Sequence, residues 1–335
     1  MTHPQTVHAG VPTSRAADMP DEKRRDLVLE GGGVKGIGLA GAVIEMAAAG
    51  YTFPRIAGTS AGAIAAAVIA ALNAAKLPLA QMKDIIESCR YANFVDAGRL
   101  HAAANLVIHH GMYNAKYLET WLGDALEQIH VTKFGDLRLD DPGADKNLTE
   151  AQKYSLVVHT ADLTRGRCVR LPWDYPQYGV NEIDDVKIVD AVRASMAIPF
   201  FFEPVIVNAP RSGVPGDNEK VTWVDGGLLA NFPVEVFDRS DGVPSRWDTV
   251  GIKLSAKMTA PSSHETSTLL DESIACLHTV LDNADRYYIT PNKADRTIFV
   301  DNAGVKTTDF GLTPEARETL FSNGRAAAKK WVDKQ

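Results

Sequence analysis

The sequence predicts an α/β fold built on parallel strands, and two observations carry that prediction. A short apolar run, Asp26-Leu27-Val28-Leu29-Glu30, ends in Gly31-Gly32-Gly33, and a helical pattern follows from Ile37 to Ala49 until Gly50 stops it. The same order then repeats: Arg55-Ile56-Ala57 leads through Gly58-Thr59-Ser60 into an Ala-rich helix that runs to about Ala75. Strand, glycine turn and helix, twice in the first quarter of the chain, is the βαβ pattern of a parallel sheet.

The later elements follow from periodicity and punctuation. Residues 80 to 130 read as helical and amphipathic, with Leu118, Trp121, Leu122, Ala125 and Leu126 at helical spacing. Tyr154 to His159 and Cys168 to Leu171 read as strands joined by a turn at Thr164-Arg165-Gly166, and Asp190 to Ala197 as a short helix that must end before Pro199. Val205 to Val207, Val221 to Val224, Thr249 to Leu254 and Thr297 to Val300 are further strands, and Leu269 to about Tyr288 a long helix. Thr313-Pro314-Glu315 opens the last helix with a cap, a first-turn proline and an acid. The expected organisation is a flexible tail over residues 1–25 and one domain over 26–335, with a motif-bearing core at 26–235 and the elements of 236–335 packed on it.

Composition narrows the function. Of 335 residues, 45% are hydrophobic, ample for a large core, and the formal net charge is -7 with no Lys/Arg-rich run interrupting the body of the chain. A nucleic-acid partner needs a clustered basic face, so that class is set aside. Cys89, Cys168 and Cys276 are odd in number and far apart, which argues against a disulfide framework or zinc site and for three small buried residues in a reducing, cytoplasmic compartment. The polar N-terminus has no signal-peptide core; export by a route without a cleaved signal stays open. Ile56 to Leu72 barely reaches membrane-spanning length and is dominated by alanine, so a buried helix is expected there.

Three motifs carry chemistry. Gly58-Thr59-Ser60-Ala61-Gly62, between a strand and a helix, can hold Ser60 on a strained turn where flanking glycines remove clashing side chains, with the helix from Ala61 aiming its free N–H groups at the reacting centre. Gly31-Gly32-Gly33-Val34-Lys35-Gly36 presents backbone N–H groups to one point. That suits a phosphate, but the acid that a dinucleotide fingerprint wants after the next strand is replaced by Ala57-Gly58-Thr59-Ser60. It also suits the oxyanion of a tetrahedral intermediate, which accounts for both motifs with one site. Lys35 adds positive charge there or is a solvated helix-start residue. Asp225-Gly226-Gly227 follows the strand Val221 to Val224, so Asp225 can reach the carboxyl edge of the sheet as base for Ser60 or as the orienting acid of a triad.

In this order the three motifs resemble the patatin-like phospholipases. Ala194-Ser195-Met196-Ala197-Ile198-Pro199 is similar to that family's Ala-Ser-x-Ala-x-Pro block, Asn231-Phe232-Pro233 to its Asn-x-Pro, and Thr307-Thr308-Asp309-Phe310 with the last helix to the C-terminal part of bacterial members, so the likeness spans roughly residues 26 to 332. The resemblance implies a three-layer α/β/α fold with a mostly parallel central sheet and a nucleophile elbow at the serine. It implies a Ser60–Asp225 dyad, an oxyanion hole from the backbone of Gly31, Gly32, Gly33 and Ala61, and supporting roles for Lys35, Gly36, Gly58, Gly62, Gly226 and Gly227. It further implies no metal or cofactor, a fatty-acyl ester substrate of the phospholipid or lysophospholipid kind, and transient contact with a membrane surface. The family often has arginine where Lys35 stands, and a point charge there replaces a planar fork.

His264 and His278 follow Asp225, so chain order alone admits a triad; they read as a loop residue and a helix-face residue. Tyr91 to Tyr113, with Phe94, Val95, Leu100, Leu106, Val107, Ile108 and Met112, and Phe200-Phe201-Phe202 are candidates for a lid or acyl-chain wall, or plain core. Two further functions compete: acyl transfer to an acceptor other than water, and nucleotide binding by Gly31 to Gly36.

Overall fold

A computed structural model describes residues 23–94, 111–113, 115–139, 148–211, 213–239, 245–254, 272, 275–276, 279–280, 291–305, 309 and 311–335. In chain order the elements are β1 (Arg25–Leu29), α1 (Ile37–Ala48), β2 (Ile56–Thr59), α2 (Ala61–Ala74), α3 (Met82–Ser88), β3 (Gly111–Tyr113), α4 (Lys116–Ile129), β4 (Leu156–Asp162), β5 (Arg167–Leu171), α5 (Ile188–Ser195), β6 (Phe200–Phe202), β7 (Val205–Pro210), β8 (Asn218–Asp225), α6 (Gly227–Ala230), β9 (Asp248–Lys253), α7 (Pro291–Asp295), β10 (Thr297–Phe299) and α8 (Pro314–Val332). The helical expectation for 80 to 130 is corrected in its middle. Residues 91–94 form a 3₁₀ turn and β3 is extended, because its backbone pairs in parallel with β6. The expected helix at 269 to 288 and the tail at 1–22 lie outside the described residues, apart from a few positions at 272–280.

The main sheet runs β10-β9-β1-β2-β4, all parallel, and continues into β8 and β7, with β5 also on β4. β1, β2 and β4 are buried on both faces, as inner strands of a parallel sheet must be. Leu27, Leu29, Ile56, Leu156 and Val158 enter the large core under α1 and α2. Val28, Ala57 and Val157 face a smaller cluster closed by Phe232, Val234 and Phe237. Asp26 and Arg55 close one end of that second face: a two-pronged pair (2.9 and 2.5 Å) lies with the guanidinium 4.9 Å from the Phe237 ring centre. Fully buried, such a pair stands because both carboxylate oxygens find a donor. This is a mixed α/β fold with a central, mostly parallel sheet flanked by helices, as the sequence predicts.

Helix ends follow their punctuation. Gly50 takes φ +90 just after α1, and Thr313 Oγ1 accepts the Ala316 N–H (3.2 Å) at the start of α8. α2 is buried all round from Ala61 to Leu72, which small alanines permit because neighbouring elements can approach closely. Among the described residues no helix is long and apolar enough to cross a membrane. Cys89 is buried, Cys168 half-buried and Cys276 exposed, so the expectation of three buried thiols fails at Cys276, where the chain presents that position to solvent.

Candidate active site

The register of β4 shows how the chain brings its motifs together. Val158 and His159 pair with β2 on one edge and with β5 on the other, while Thr160 pairs with β5 and with Asp225 of β8. β2 and β8 therefore lie on the same edge of β4. β2 stops at Thr59, opposite His159, and antiparallel β8 arrives from the other direction to stop at Asp225, opposite Thr160. The carboxyl ends of the two strands meet head to head, leaving Ser60 and Asp225 as neighbours at the join. Sequence reasoning puts Asp225 at this edge but not the antiparallel approach that delivers it.

Ser60 occupies φ 53, ψ -125 between β2 and α2, a left-handed conformation costing on the order of 1–3 kcal/mol for a residue with a side chain. The turn closes because glycines flank it: a Cβ at Gly58 would sit 2.1 Å from the Gly62 carbonyl oxygen, and one at Gly62 would sit 2.3 Å from that of Leu29 in β1. These approaches draw the serine turn against the glycine run that follows β1. The run is clamped from beside. The Glu30 carboxylate is buried with the Lys253 ammonium and also accepts the Leu254 N–H.

Within the run, Gly31 corrects an expectation. Its N–H donates to the Asn231 carbonyl (3.1 Å), so it is engaged and cannot face an oxyanion. Its contribution is room, since a Cβ there would meet Asn231 Oδ1 at 2.2 Å. Gly33, at φ +55, opens a 3₁₀ turn over Gly33–Gly36, and Ala61 opens α2. N–H groups at such starts have no partner inside their own helix. Gly36 caps α1. Lys35 is buried at 9% exposure, which removes the solvated reading.

Asp225 is 2% exposed. Its Oδ1 accepts the Gly227 N–H (2.7 Å), the local bond of an Asp-Gly turn, while Oδ2 has no strict hydrogen bond among the described residues. Gly226 is needed where the turn presses on β4, because a Cβ would lie 2.2 Å from the His159 carbonyl oxygen. Burial pushes the Asp225 carboxyl up to about 7; the nearby Ser60 hydroxyl and the Gly227 N–H oppose that rise. The Ser60 contact is looser than a full hydrogen bond. The Ser60 hydroxyl donates instead to Met196 Sδ at 3.6 Å, a weak acceptor.

Among the described residues one histidine is close by, and it is neither of the two that follow Asp225 in the sequence. His264 and His278 lie outside the described residues. His159 is buried, its Nδ1 has no hydrogen-bond partner among the described residues, and burial pushes its imidazole down to about 4. Alternation along β4 puts His159 on the face of Val157, whereas Thr160, and with it the directly opposed Asp225, lies on the face of Val158. The sheet therefore separates this imidazole from the Ser60–Asp225 join.

Sequence reasoning assigns no role to the individual residues of Ala194–Ala197, yet this turn touches both halves of the site. Ser60 N–H donates to Ser195 Oγ (2.8 Å), Asp225 N–H to the Ala197 carbonyl (2.8 Å) and Thr160 Oγ1 to the Ala194 carbonyl (3.3 Å). The available signal was a serine in an otherwise apolar stretch at a helix end. Of the proposed acyl wall, Val95, Leu100, Leu106, Val107 and Ile108 lie outside the described residues. Phe94 and Phe202 are buried core with ring centres 6.0 Å apart, and Phe200 and Phe201 are half-buried beside them.

A parallel sheet with a strained serine at a strand–helix turn, a glycine run beside it and a buried aspartate meeting it defines an acyl-hydrolase architecture. Comparison with known proteins agrees. The family model for patatin-like phospholipases matches residues 27–238, and an uncharacterized protein of Bacillus subtilis (strain 168), YqhO, is 32% identical over 317 residues, spanning 92% of this chain and 99% of that protein. The chain belongs to the patatin-like phospholipase family, whose members are lipid ester hydrolases. Among solved structures, VipD from Legionella pneumophila aligns over 94% of this chain and 67% of its own with TM-score 0.51 and 18% identity, a likeness of fold. The ExoU–SpcU complex from the Pseudomonas aeruginosa type III secretion system aligns over 93% and 52% with TM-score 0.48 and 17% identity.

Proposed function

We propose that the chain is a serine acyl hydrolase that cleaves fatty-acyl esters of phospholipids or lysophospholipids through a Ser60–Asp225 dyad. The observation that carries this reading is Asp225: a buried carboxyl whose pKa is pushed up to about 7, with Oδ2 uncommitted beside the Ser60 hydroxyl. An ordinary aspartate is too weak a base to take a serine proton, whereas one titrating near neutrality is matched to the task.

In the reaction, Ser60 Oγ attacks the ester carbonyl carbon as its proton passes to Asp225 Oδ2. The carbonyl oxygen becomes an oxyanion, held by N–H groups of Gly32, Gly33 and Ala61 and favoured by the positive end of α2. Collapse breaks the ester C–O bond, and Asp225 returns the proton to the departing alkoxide, leaving an acyl-Ser60. Water then attacks the acyl carbon, Asp225 takes its proton, and fatty acid leaves as Ser60 is reprotonated. Half-buried Phe200 and Phe201 are the described candidates for contact with the acyl chain, which would enter from a membrane surface.

Mass spectrometry of free fatty acid released from phosphatidylcholine and lysophosphatidylcholine vesicles tests the proposal. Wild-type protein releases fatty acid, and Ser60→Ala and Asp225→Ala each abolish release while remaining folded. Wild-type release by either folded variant refutes the dyad.

A further inference from the structure

The turn Ala194–Ala197 holds a residue whose place in the β2–β4 ladder is unusual. In this parallel pair, Ile56 N–H donates to the Ser155 carbonyl (2.7 Å). A parallel ladder repeats every two residues, so its next rungs fall at Gly58 on Val157 and at Ser60 on His159. The last rung is not made directly, because Ser60 has turned out of the strand. Instead its N–H donates to Ser195 Oγ (2.8 Å), and the Ser195 hydroxyl donates onward to the His159 carbonyl (2.5 Å). Ser195 has no exposed surface. One hydroxyl, inserted from the end of α5, replaces a backbone rung.

The carbonyl it reaches is also the one against which Gly226 packs. The backbone following Asp225 thus rests on the same oxygen that anchors Ser60 through Ser195. The residue after Ser195, Met196, takes the Ser60 hydroxyl, and the one after that, Ala197, takes the Asp225 N–H.

We propose that Ser195 is a positioning residue for the nucleophile: its hydroxyl completes the interrupted rung and thereby fixes the strained Ser60 backbone in register with Asp225. Without the hydroxyl, the Ser60 N–H and the His159 carbonyl face each other across a gap too wide for a direct bond, and the turn relaxes to shorten it. That moves Ser60 Oγ relative to Asp225 and to the oxyanion donors while leaving the acyl-binding surface in place. The inference rests on reading Ser60 as the nucleophile, and the test separates the two.

Ser195→Ala is compared with the wild type on a soluble ester, p-nitrophenyl butyrate, and in its rate of labelling by a fluorophosphonate, with thermal unfolding run alongside. A displacement of about 1 Å costs on the order of 100-fold, so kcat is expected to fall roughly 10- to 100-fold. KM stays within about twofold, and the labelling rate falls by the same factor as kcat. A role in stability alone would lower the melting temperature and leave kcat per folded molecule unchanged. Folded Ser195→Ala with wild-type kcat and labelling rate overturns the proposal, as does a loss confined to KM. Should Ser195→Ala fail to fold, Ser195→Cys carries the test, because a thiol keeps the shape but bonds weakly. The same loss then supports the proposal, and a wild-type rate overturns it. A wild-type protein that takes no label refutes the nucleophile assignment itself, and with it this inference.

Discussion

Replacing Asp225 by asparagine separates its chemistry from its packing. Asparagine keeps the shape and an oxygen for the Gly227 N–H, but it can neither ionise nor take a proton. With the carboxyl raised from 3.8 to about 7 by burial, the folded wild type holds its proton to a higher pH than the unfolded chain does. This residue's contribution to stability is therefore fully present below the unfolded value and is lost as pH rises through about 7. At 1.36 kcal/mol per unit, the whole effect is on the order of 4 kcal/mol. Between pH 5 and pH 9 the part that changes is roughly 3 kcal/mol, since the unfolded carboxyl is already ionised at pH 5. Asp225→Asn, free of this term, should therefore gain stability over the wild type on going from pH 5 to pH 9, by up to that amount. Urea unfolding at the two pH values measures it, with ester hydrolysis followed across the same range. Wild-type kcat/KM should rise to a plateau with an apparent pKa near 7, and Asp225→Asn should be inactive throughout. A wild-type profile flat from pH 5 to pH 9, or a stability difference that does not change with pH, would rule out a buried Asp225 carboxyl that titrates near 7 and serves as the base.

Other perturbations bear on separate parts of the site. Gly62→Ala drives a Cβ to 2.3 Å from the Leu29 carbonyl and 2.7 Å from that of Glu30, both backbone, so it should cost roughly 3 kcal/mol or more in denaturant unfolding and abolish hydrolysis. Lys253→Met strands the buried Glu30 carboxylate beside the glycine run, at a cost of about 3–5 kcal/mol, and adding Glu30→Gln should recover part of it, both read from urea midpoints. His264→Ala and His278→Ala should each keep most of the ester hydrolysis, because Asp225 has an uncommitted oxygen and a pKa suited to act alone; an inactive, folded variant of either would overturn the dyad.

The parallel half of the sheet was legible because β1 and β2 are short apolar runs ended by glycine, and such punctuation acts locally. The motif residues were legible for the same reason: Gly58, Ser60 and Gly62 are close in sequence, and their turn depends on the absence of side chains there. What could not be read is what pairing over long range decides. β3 takes its extended form from β6, nearly ninety residues later in the chain. The direction from which β8 brings Asp225 depends on where β2 stops against β4, which neither strand's own sequence states. Gly31 looks identical to Gly32 and Gly33 in a glycine run, and only the fold brings Asn231 to its N–H. Ser195 was visible as a residue but not as a rung, because its partners, Ser60 and His159, lie 135 and 36 positions away.

Whether Ser60 is an activated nucleophile can be tested before any lipid is chosen. Wild-type protein and Ser60→Ala are incubated with a fluorophosphonate, digested, and the modified residue is located by mass spectrometry. One phosphonylated residue, Ser60, is expected in the wild type and no label in Ser60→Ala. Label that persists in the folded Ser60→Ala variant, or its absence from the wild type, would rule out Ser60 as the nucleophile.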